Sequence, residues 1–179
     1  MPNKKQSKIL DDFVKNAEGK YEYVGALHRY VGSIPRKKAY FNLGVLTVLL
    51  LACAIIAGSV RAAGATYEIY IVVPYIFVML MCGLLTYKFI ELLLGKDPLR
   101  DYVHQSTVVR FPFYLWIILI AACITLVGEV IYLFQHGVGE YLNGTILFVC
   151  SMLLVSLLAF LWLRYFKLLV WEEIQNEKE

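Results

Sequence analysis

The chain has 179 residues, of which 60% are hydrophobic and 17% are charged, and its formal net charge is +3. Average soluble domains are about 45–50% apolar and about 25% charged, so this composition excludes an ordinary soluble domain, a disordered chain and a collagen-like chain. The apolar residues fall into four long blocks, and a block of about 18 or more predicts a transmembrane helix. The sequence therefore predicts an all-α integral membrane protein, a bundle of four transmembrane helices.

The N-terminal segment, 1–38, precedes the first apolar block and is amphipathic. Apolar residues recur at helical spacing over 8–18, where Gly19 provides a stop, and this predicts a first amphipathic helix. The same spacing over 24–34 predicts a second helix that ends at Pro35. Basic residues among the apolar positions suit an anionic lipid surface. Packing beneath the bundle and binding of a partner are the alternative interpretations.

Two helical hairpins follow, at 39–94 and 113–169, with a loop at 95–112 between them and a tail at 170–179. Each of the four apolar blocks provides the roughly 20 helical residues that one membrane crossing requires. Within the loop, Asp97 precedes Pro98 in the manner of an N-cap, which predicts a short amphipathic helix. We expect the tail to be a frayed helical end.

Lys and Arg are distributed unevenly between the two sides of these spans. Sixteen of the 17 lie before the first span, around the middle loop or at the C-terminal end, and only Arg61 lies on the opposite side. Because cytoplasmic loops carry the Lys/Arg excess, we predict that both termini and the middle loop are cytoplasmic. About 39 mostly polar residues precede the first span, so we expect an uncleaved anchor and not a signal peptide.

The two halves of the chain are similar in sequence. Residues 51–60 (LACAIIAGSV) and 121–130 (AACITLVGEV) share four identities at a shift of 70, and upstream and downstream matches occur at shifts of 72 and 71. This predicts two tandem copies of a segment followed by a hairpin, related by an axis along the membrane normal. Chance similarity between apolar helices is the alternative.

Ionisable residues near the outer ends of the spans are the first candidate functional positions. Glu129 is foremost, because an intramembrane carboxylate is costly and commonly marks a proton or ion pathway. Protonation, pairing with Arg61, a water-filled cavity and capping at the interface are its open interpretations. Arg61 and Glu68 flank the short outer turn, and we predict that they pair with each other.

Small residues and one proline mark predicted helix contacts. Ala54 and Gly58 form a small-xxx-small pair, and Gly128 is a further small position, so we expect close helix packing there, with a dimer face as the alternative. Pro74 lies within the second span and removes a backbone hydrogen bond, which predicts a kink.

Other chemistry-bearing residues give weak signals. The four cysteines lie inside spans without CxxC spacing, so a thiol redox enzyme is not predicted. His28 and His104 are predicted to be isolated, and His136 with Glu140 forms a pair that lacks a third metal ligand. The sequence contains no nucleotide-binding, hydrolase or zinc-protease motif and no nucleic-acid module. We therefore expect no cofactor and no nucleic-acid partner.

Three functions are compatible with this sequence. The first is a non-catalytic accessory, scaffold or regulatory subunit that contacts the lipid bilayer and a membrane-protein partner. The alternative is a small homo-oligomeric transporter or channel that uses Glu129. An oligomer is required because four helices are few to enclose a transport pathway within one chain. The third is a membrane-embedded enzyme acting on lipid, with His104, Asp101 and Glu91 as acid–base candidates at the inner surface.

Overall fold

A computed structural model of the chain describes residues 13–15, 19, 21–95, 97–137 and 139–174. It contains four helical runs long and apolar enough to cross a membrane, at Arg36–Ser59, Ile69–Leu94, Asp101–His136 and Gly139–Phe166. The predicted set of four membrane-length helices is therefore confirmed, and it indicates a multi-pass membrane protein.

The helices are named in chain order. They are α1 (Arg36–Ser59), α2 (Ile69–Leu94), the short α3 (Asp101–Ser106), α4 (Phe111–His136) and α5 (Leu142–Phe166). One turn of 3-10 helix precedes α4 and another precedes α5. The four long helices measure about 36–39 Å, which exceeds the roughly 30 Å hydrocarbon core. Helix α4 alone is thus long enough to span a bilayer.

The four long helices form a ring in which each packs against two neighbours. Helix α1 contacts α2 and α5, and α4 contacts the same two helices. The inward faces bury large side chains, and the outward faces expose apolar side chains such as Val48, Leu80 and Phe134, as a lipid-facing surface does. The largest fully buried side chains of these helices are Trp162, Phe111, Phe148, Leu43, Leu50, Ile71, Leu85, Leu92, Leu115, Ile118 and Met152.

Within the part of the chain that the structure describes, five short strands lie at one end of the ring. An antiparallel hairpin pairs β1 (Phe13–Lys15) with β2 (Tyr21–Tyr23). A separate antiparallel sheet contains β3 (Leu27–Tyr30), β4 (Leu99–Arg100) and β5 (Trp171–Ile174) in the order β4-β3-β5. The three strands of this sheet, together with α3, are called the sheet cap. The opposite end, which holds the α1–α2 and α4–α5 connections, is called the loop end.

The strands correct the all-α prediction outside the long helices. The helix predicted over 24–34 is wrong, because β3 occupies its centre and Leu27 and Tyr30 pair with β5. Of the helix predicted over 8–18, residues 13–15 form β1, and 8–12 and 16–18 lie outside the described residues. The prediction of a helical C-terminal tail is also wrong, since 171–174 form β5. Residues 175–179 lie outside the described residues.

Pairing between distant segments explains these corrections. Aromatic residues are favoured in strands, and backbone hydrogen bonds from another segment override a helical apolar spacing. Trp171 of β5 packs against Tyr30 at a ring distance of 5.6 Å and against Tyr40 of α1 at 6.5 Å. These contacts attach the sheet to the bundle, and no local pattern encodes them.

The N-cap predicted at Asp97 is also wrong. Helix α3 begins at Asp101, after the two residues of β4, and its N-cap position is Arg100. The Asp97 carboxylate instead forms an ion pair with Arg36 at 2.6 Å. This ion pair links the middle loop to the first turn of α1 and helps to hold the sheet cap against the bundle.

Candidate functional sites

The α1–α2 connection folds back into the loop end of the bundle. Ala62 and Ala63 are almost completely buried, and Gly64 is also buried. Internal hydrogen bonds shape the turn, with the Thr66 N–H donating to the Ala62 carbonyl at 3.1 Å and the Glu68 N–H to Gly64 at 2.9 Å. Buried backbone N–H groups need partners, and a hydrocarbon environment supplies none. The second hairpin must therefore provide them.

Two side chains of the second hairpin bind this loop. The Ala63 N–H donates to Oγ1 of Thr145 at 2.9 Å, and the Gly64 N–H donates to Oε1 of Glu129 at 3.0 Å. The Glu129 side chain is completely buried, with 0% exposure. Its other oxygen, Oε2, has no hydrogen-bond partner within the described part of the chain. Glu129 therefore anchors the loop through one oxygen and retains one unused acceptor.

Arg61 does not neutralise Glu129. Arg61 is exposed and Glu68 is partly buried immediately before α2. The ion pairs among the described residues include neither Arg61–Glu129 nor the predicted Arg61–Glu68 pair. The Arg61 backbone contributes to the loop instead, because its carbonyl oxygen lies where a Cβ of Gly144 on α5 would project.

The small residues singled out in the sequence lie at contacts between helices. Ala54 is buried and its carbonyl accepts a hydrogen bond from the Tyr75 hydroxyl at 2.9 Å. A Cβ added at Gly58 would overlap that same hydroxyl, and one at Gly128 would lie 3.0 Å from Ile71 Cγ1. These positions bring α1 and α4 close to α2.

Pro74 lies within α2, which continues as one helix from Ile69 to Leu94. Its ring lines a shallow, outward-open apolar cavity of about 300 Å³ between α2 and α4. The other cavity-lining residues are Val73, Phe77, Ile117, Ile120, Ala121 and Ile124. Because this lining is entirely apolar, the cavity suits a lipid chain and offers no group for chemistry.

The sheet cap gathers three potential metal ligands. His28 lies on β3, and Asp101 and His104 lie one turn apart on α3, with one ligand atom of each within 4.8 Å of the others. His28 Nε2 is hydrogen-bonded to Asp101 Oδ1 at 2.9 Å. The rings of His28 and His104 stack with centroids 4.0 Å apart and planes inclined by 15°. The prediction that these histidines are isolated is therefore wrong.

Neighbouring groups hold the cluster in place. Gln105 Nε2 donates to the second oxygen of Asp101 at 2.7 Å. The Asp101 N–H donates to the Ala26 carbonyl and to the Tyr23 hydroxyl, each at 3.1 Å. The edge of the Trp171 ring meets His104 at 5.6 Å. Such outer contacts orient side chains that bind metals.

Burial changes the charge of His104. Desolvation by burial and, to a smaller extent, the neighbouring His28 together lower the pKa of the His104 imidazole to about 4, and Asp101 opposes this shift. His104 is therefore neutral at pH 7 and keeps one ring nitrogen lone pair. All three residues are only partly buried, and the side chains of His28 and Asp101 are 12% and 24% exposed, so solvent reaches the cluster.

The acid–base trio of the third functional hypothesis is only partly assembled. Asp101 and His104 are neighbours, but the Glu91 carboxylate is bound elsewhere. Its Oε2 pairs with Lys88 Nζ at 2.6 Å, and its Oε1 accepts a hydrogen bond from the Ser106 hydroxyl at 3.1 Å. At the loop end, the His136 ring stacks on Tyr132. Within the described ranges, His136 and Glu140 belong to no group of three potential metal ligands.

Comparison of this chain with known protein families, curated proteins and solved structures found no match. Functional inference consequently starts from the chemistry of the loop end and the sheet cap. The i, i+3 spacing of Asp101 and His104 is a sequence signal that could have linked these two residues, because residues at that spacing share a helix face. No comparable signal linked His28 to them, since that contact depends on the pairing of β3 with β4.

Proposed function

We propose that this chain is a non-catalytic membrane subunit whose four helices anchor the sheet cap, and that the cap contacts a protein partner. The observation that carries this proposal is the use of polar groups inside the bundle. Glu129 and Thr145 bind the α1–α2 loop, and Trp162 Nε1 donates to Thr47 Oγ1 at 3.1 Å. These groups hold the bundle together, whereas the partly exposed His28 and Asp101 lie in the sheet cap.

The proposal places the sheet cap and both termini in the cytoplasm. The distribution of Lys and Arg supports this orientation, because Arg61 alone lies at the loop end. All three segments that build the cap, before α1, between α2 and α3, and after α5, belong to the basic side. A cytoplasmic partner would therefore contact the N-terminal, middle and C-terminal segments of the chain at one surface.

Strand pairing in the cap supports the proposed duplication. Residues 27 and 28 correspond to 99 and 100 at the shift of 72 found in the sequence. In the β3–β4 ladder, Leu27 pairs with Arg100 and His28 pairs with Leu99. If each residue is replaced by its counterpart in the other half of the chain, the Leu27–Arg100 pair becomes the His28–Leu99 pair. This is expected where a two-fold axis passes between β3 and β4. The α2–α4 and α1–α5 contacts are related by the same exchange.

Purification from native membranes tests the proposed function. A tagged chain is isolated in mild detergent, and particle mass and subunit composition are measured together. We expect a foreign subunit in fixed stoichiometry. The variant E172Q/E173Q removes two exposed charges from β5, and E140Q is its matched control at the loop end. Loss of the subunit in the cap variant alone supports the proposal, whereas a homo-oligomer without a foreign subunit contradicts it.

A homo-oligomeric transporter or channel is the second candidate, and the unpartnered Oε2 of Glu129 favours it. A buried carboxylate with a free acceptor is the type of group that proton and ion pathways use. This candidate predicts flux of protons or cations in liposomes. It also predicts that Glu129→Gln abolishes the flux while the particle keeps its mass and thermal stability.

A further inference from the structure

We propose that His28, Asp101 and His104 form a binding site for a divalent transition-metal ion of the zinc class. The inference rests on the placement of three ligand-bearing side chains from two elements, β3 and α3, at one accessible point of the sheet cap. It is independent of the proposed partner. A site of this composition supplies two imidazole nitrogens and one carboxylate oxygen.

The identity of the donors selects the metal. Imidazole suits zinc, copper, nickel and iron, whereas calcium and magnesium prefer sites built wholly from oxygen ligands. Catalytic and exchangeable zinc sites commonly use three protein ligands and keep water in the fourth position. Solvent reaches His28 and Asp101, which leaves room for that water. The cluster therefore fits an exchangeable zinc ion better than a fully enclosed structural one.

Only a local rearrangement of side chains is needed to bring the three ligand atoms to the distances that a zinc ion requires. Two ligands of a tetrahedral zinc ion lie about 3.3 Å apart when each bond is about 2.0–2.1 Å. His28 Nε2 and Asp101 Oδ1, at 2.9 Å, are already near that separation, and the ion would take the place of the hydrogen between them. The ring planes of His28 and His104 are nearly parallel, and each nitrogen lone pair lies in its own ring plane, so the His104 ring must rotate about its side-chain bonds before both rings can bind one ion.

Hydrogen bonds from outside the cluster already hold one of the ligands in place. The amide of Gln105 holds the second oxygen of Asp101, and the backbone N–H of Asp101 is fixed by Ala26 and Tyr23. These contacts restrain the carboxylate before a metal arrives. Binding would then join β3 to α3 and stabilise the sheet cap.

Equilibrium dialysis of the full-length protein against zinc chloride tests the site, with a tag that contains no histidine. We expect one zinc ion per chain, no competition from a large excess of magnesium, and a loss of affinity in His28→Asn, Asp101→Asn and His104→Asn that exceeds the roughly 10–100-fold cost of removing a hydrogen-bond partner of a ligand. His136→Asn is the matched control, because His136 is exposed at the loop end and should leave binding unchanged.

Hydrogen exchange gives a second measurement that does not depend on any one variant folding. Zinc should slow exchange at β3 and α3 in the wild-type protein and leave the α1–α2 loop unaffected. Absence of saturable one-to-one binding, or equal affinity in wild type and in any correctly folded ligand variant, would overturn the proposal. A loss of binding in His136→Asn would also overturn it, since the ion would then lie at the loop end.

Discussion

The loop end and the sheet cap use ionisable side chains in opposite ways. At the loop end, Glu129 is completely buried and its carboxylate binds the Gly64 N–H, so the charge-bearing group is part of the packing. At the sheet cap, His28 and Asp101 stay partly exposed and bind each other. An intramembrane carboxylate is a functional candidate by default. Here the comparison instead favours the residues of the sheet cap, whose side chains solvent reaches.

Gly144→Ala is expected to have the largest effect, because it disrupts the loop end at a backbone contact. Its new Cβ would overlap the carbonyl oxygen of Arg61, and backbone atoms move less readily than side-chain ends. We expect a loss of about 3 kcal/mol in the free energy of unfolding in detergent. Gly83→Ala is the control, since nothing lies within 4 Å of its Cβ and alanine favours a helix. Equal stability of the two variants would contradict the tight loop packing.

Substitutions at Glu129 test whether its side chain stabilises the loop as a hydrogen-bond acceptor or through its negative charge. Glu129→Ala removes the acceptor of the buried Gly64 N–H and should cost about 2 kcal/mol in unfolding free energy. Glu129→Gln keeps an oxygen in the same place and should cost less than about 1 kcal/mol. Denaturant unfolding of both variants measures the difference. If Glu129→Gln destabilises as much as Glu129→Ala, the negative charge itself holds the loop.

Trp171→Ala is expected to weaken the sheet cap without unfolding the bundle. The Trp171 ring packs against Tyr30, Tyr40 and His104, but it is only partly buried. We expect a local loss of about 1–2 kcal/mol, less than full burial of an aromatic side chain contributes. Hydrogen exchange should accelerate in β3 and β5 and stay unchanged in α2. Equal acceleration in α2 would show that cap and bundle unfold as one unit.

Acidification from about pH 7 to about pH 6 is expected to loosen the sheet cap by the smallest amount, because only a small part of the pKa shift of His104 acts in that range. Burial and, to a smaller extent, the neighbouring His28 lower the pKa of His104 from 6.5 to about 4 in the folded protein, and Asp101 opposes this shift. Between those pH values the unfolded cap binds more protons, so its stability is complete above pH 6.5 and declines as pH falls towards 4. Hydrogen exchange of β3, corrected for intrinsic rates, should show a weaker pH dependence in His104→Gln than in wild type.

The long helices were predictable from sequence because hydrophobic length is a local property. Apolar blocks of about 20 residues require a helix in a bilayer, whatever their neighbours are. The strands were not predictable, because β3 pairs with segments more than 70 residues away. Residues 27–30 carry a helical apolar spacing that this pairing overrides.

The candidate sites at the loop end and at the sheet cap also depend on contacts between residues that are distant in sequence. Glu129 was identifiable as a candidate from its position in a span, but its partner, Gly64, is 65 residues distant and has no distinguishing sequence context. Asp101 and His104 were close in sequence, whereas His28 reaches them only through the β3–β4 ladder. Sequence thus indicated single residues, and tertiary contacts decided which of them act together.

Subunit composition in native membranes tests most directly whether the sheet cap carries the function and Glu129 carries only structure. Wild type, Glu129→Gln and E172Q/E173Q are purified side by side under identical conditions. The account predicts that Glu129→Gln retains the foreign subunit in the wild-type ratio, while E172Q/E173Q loses it with the bundle still folded. A homo-oligomer free of other subunits, with ion flux that Glu129→Gln abolishes, would contradict it.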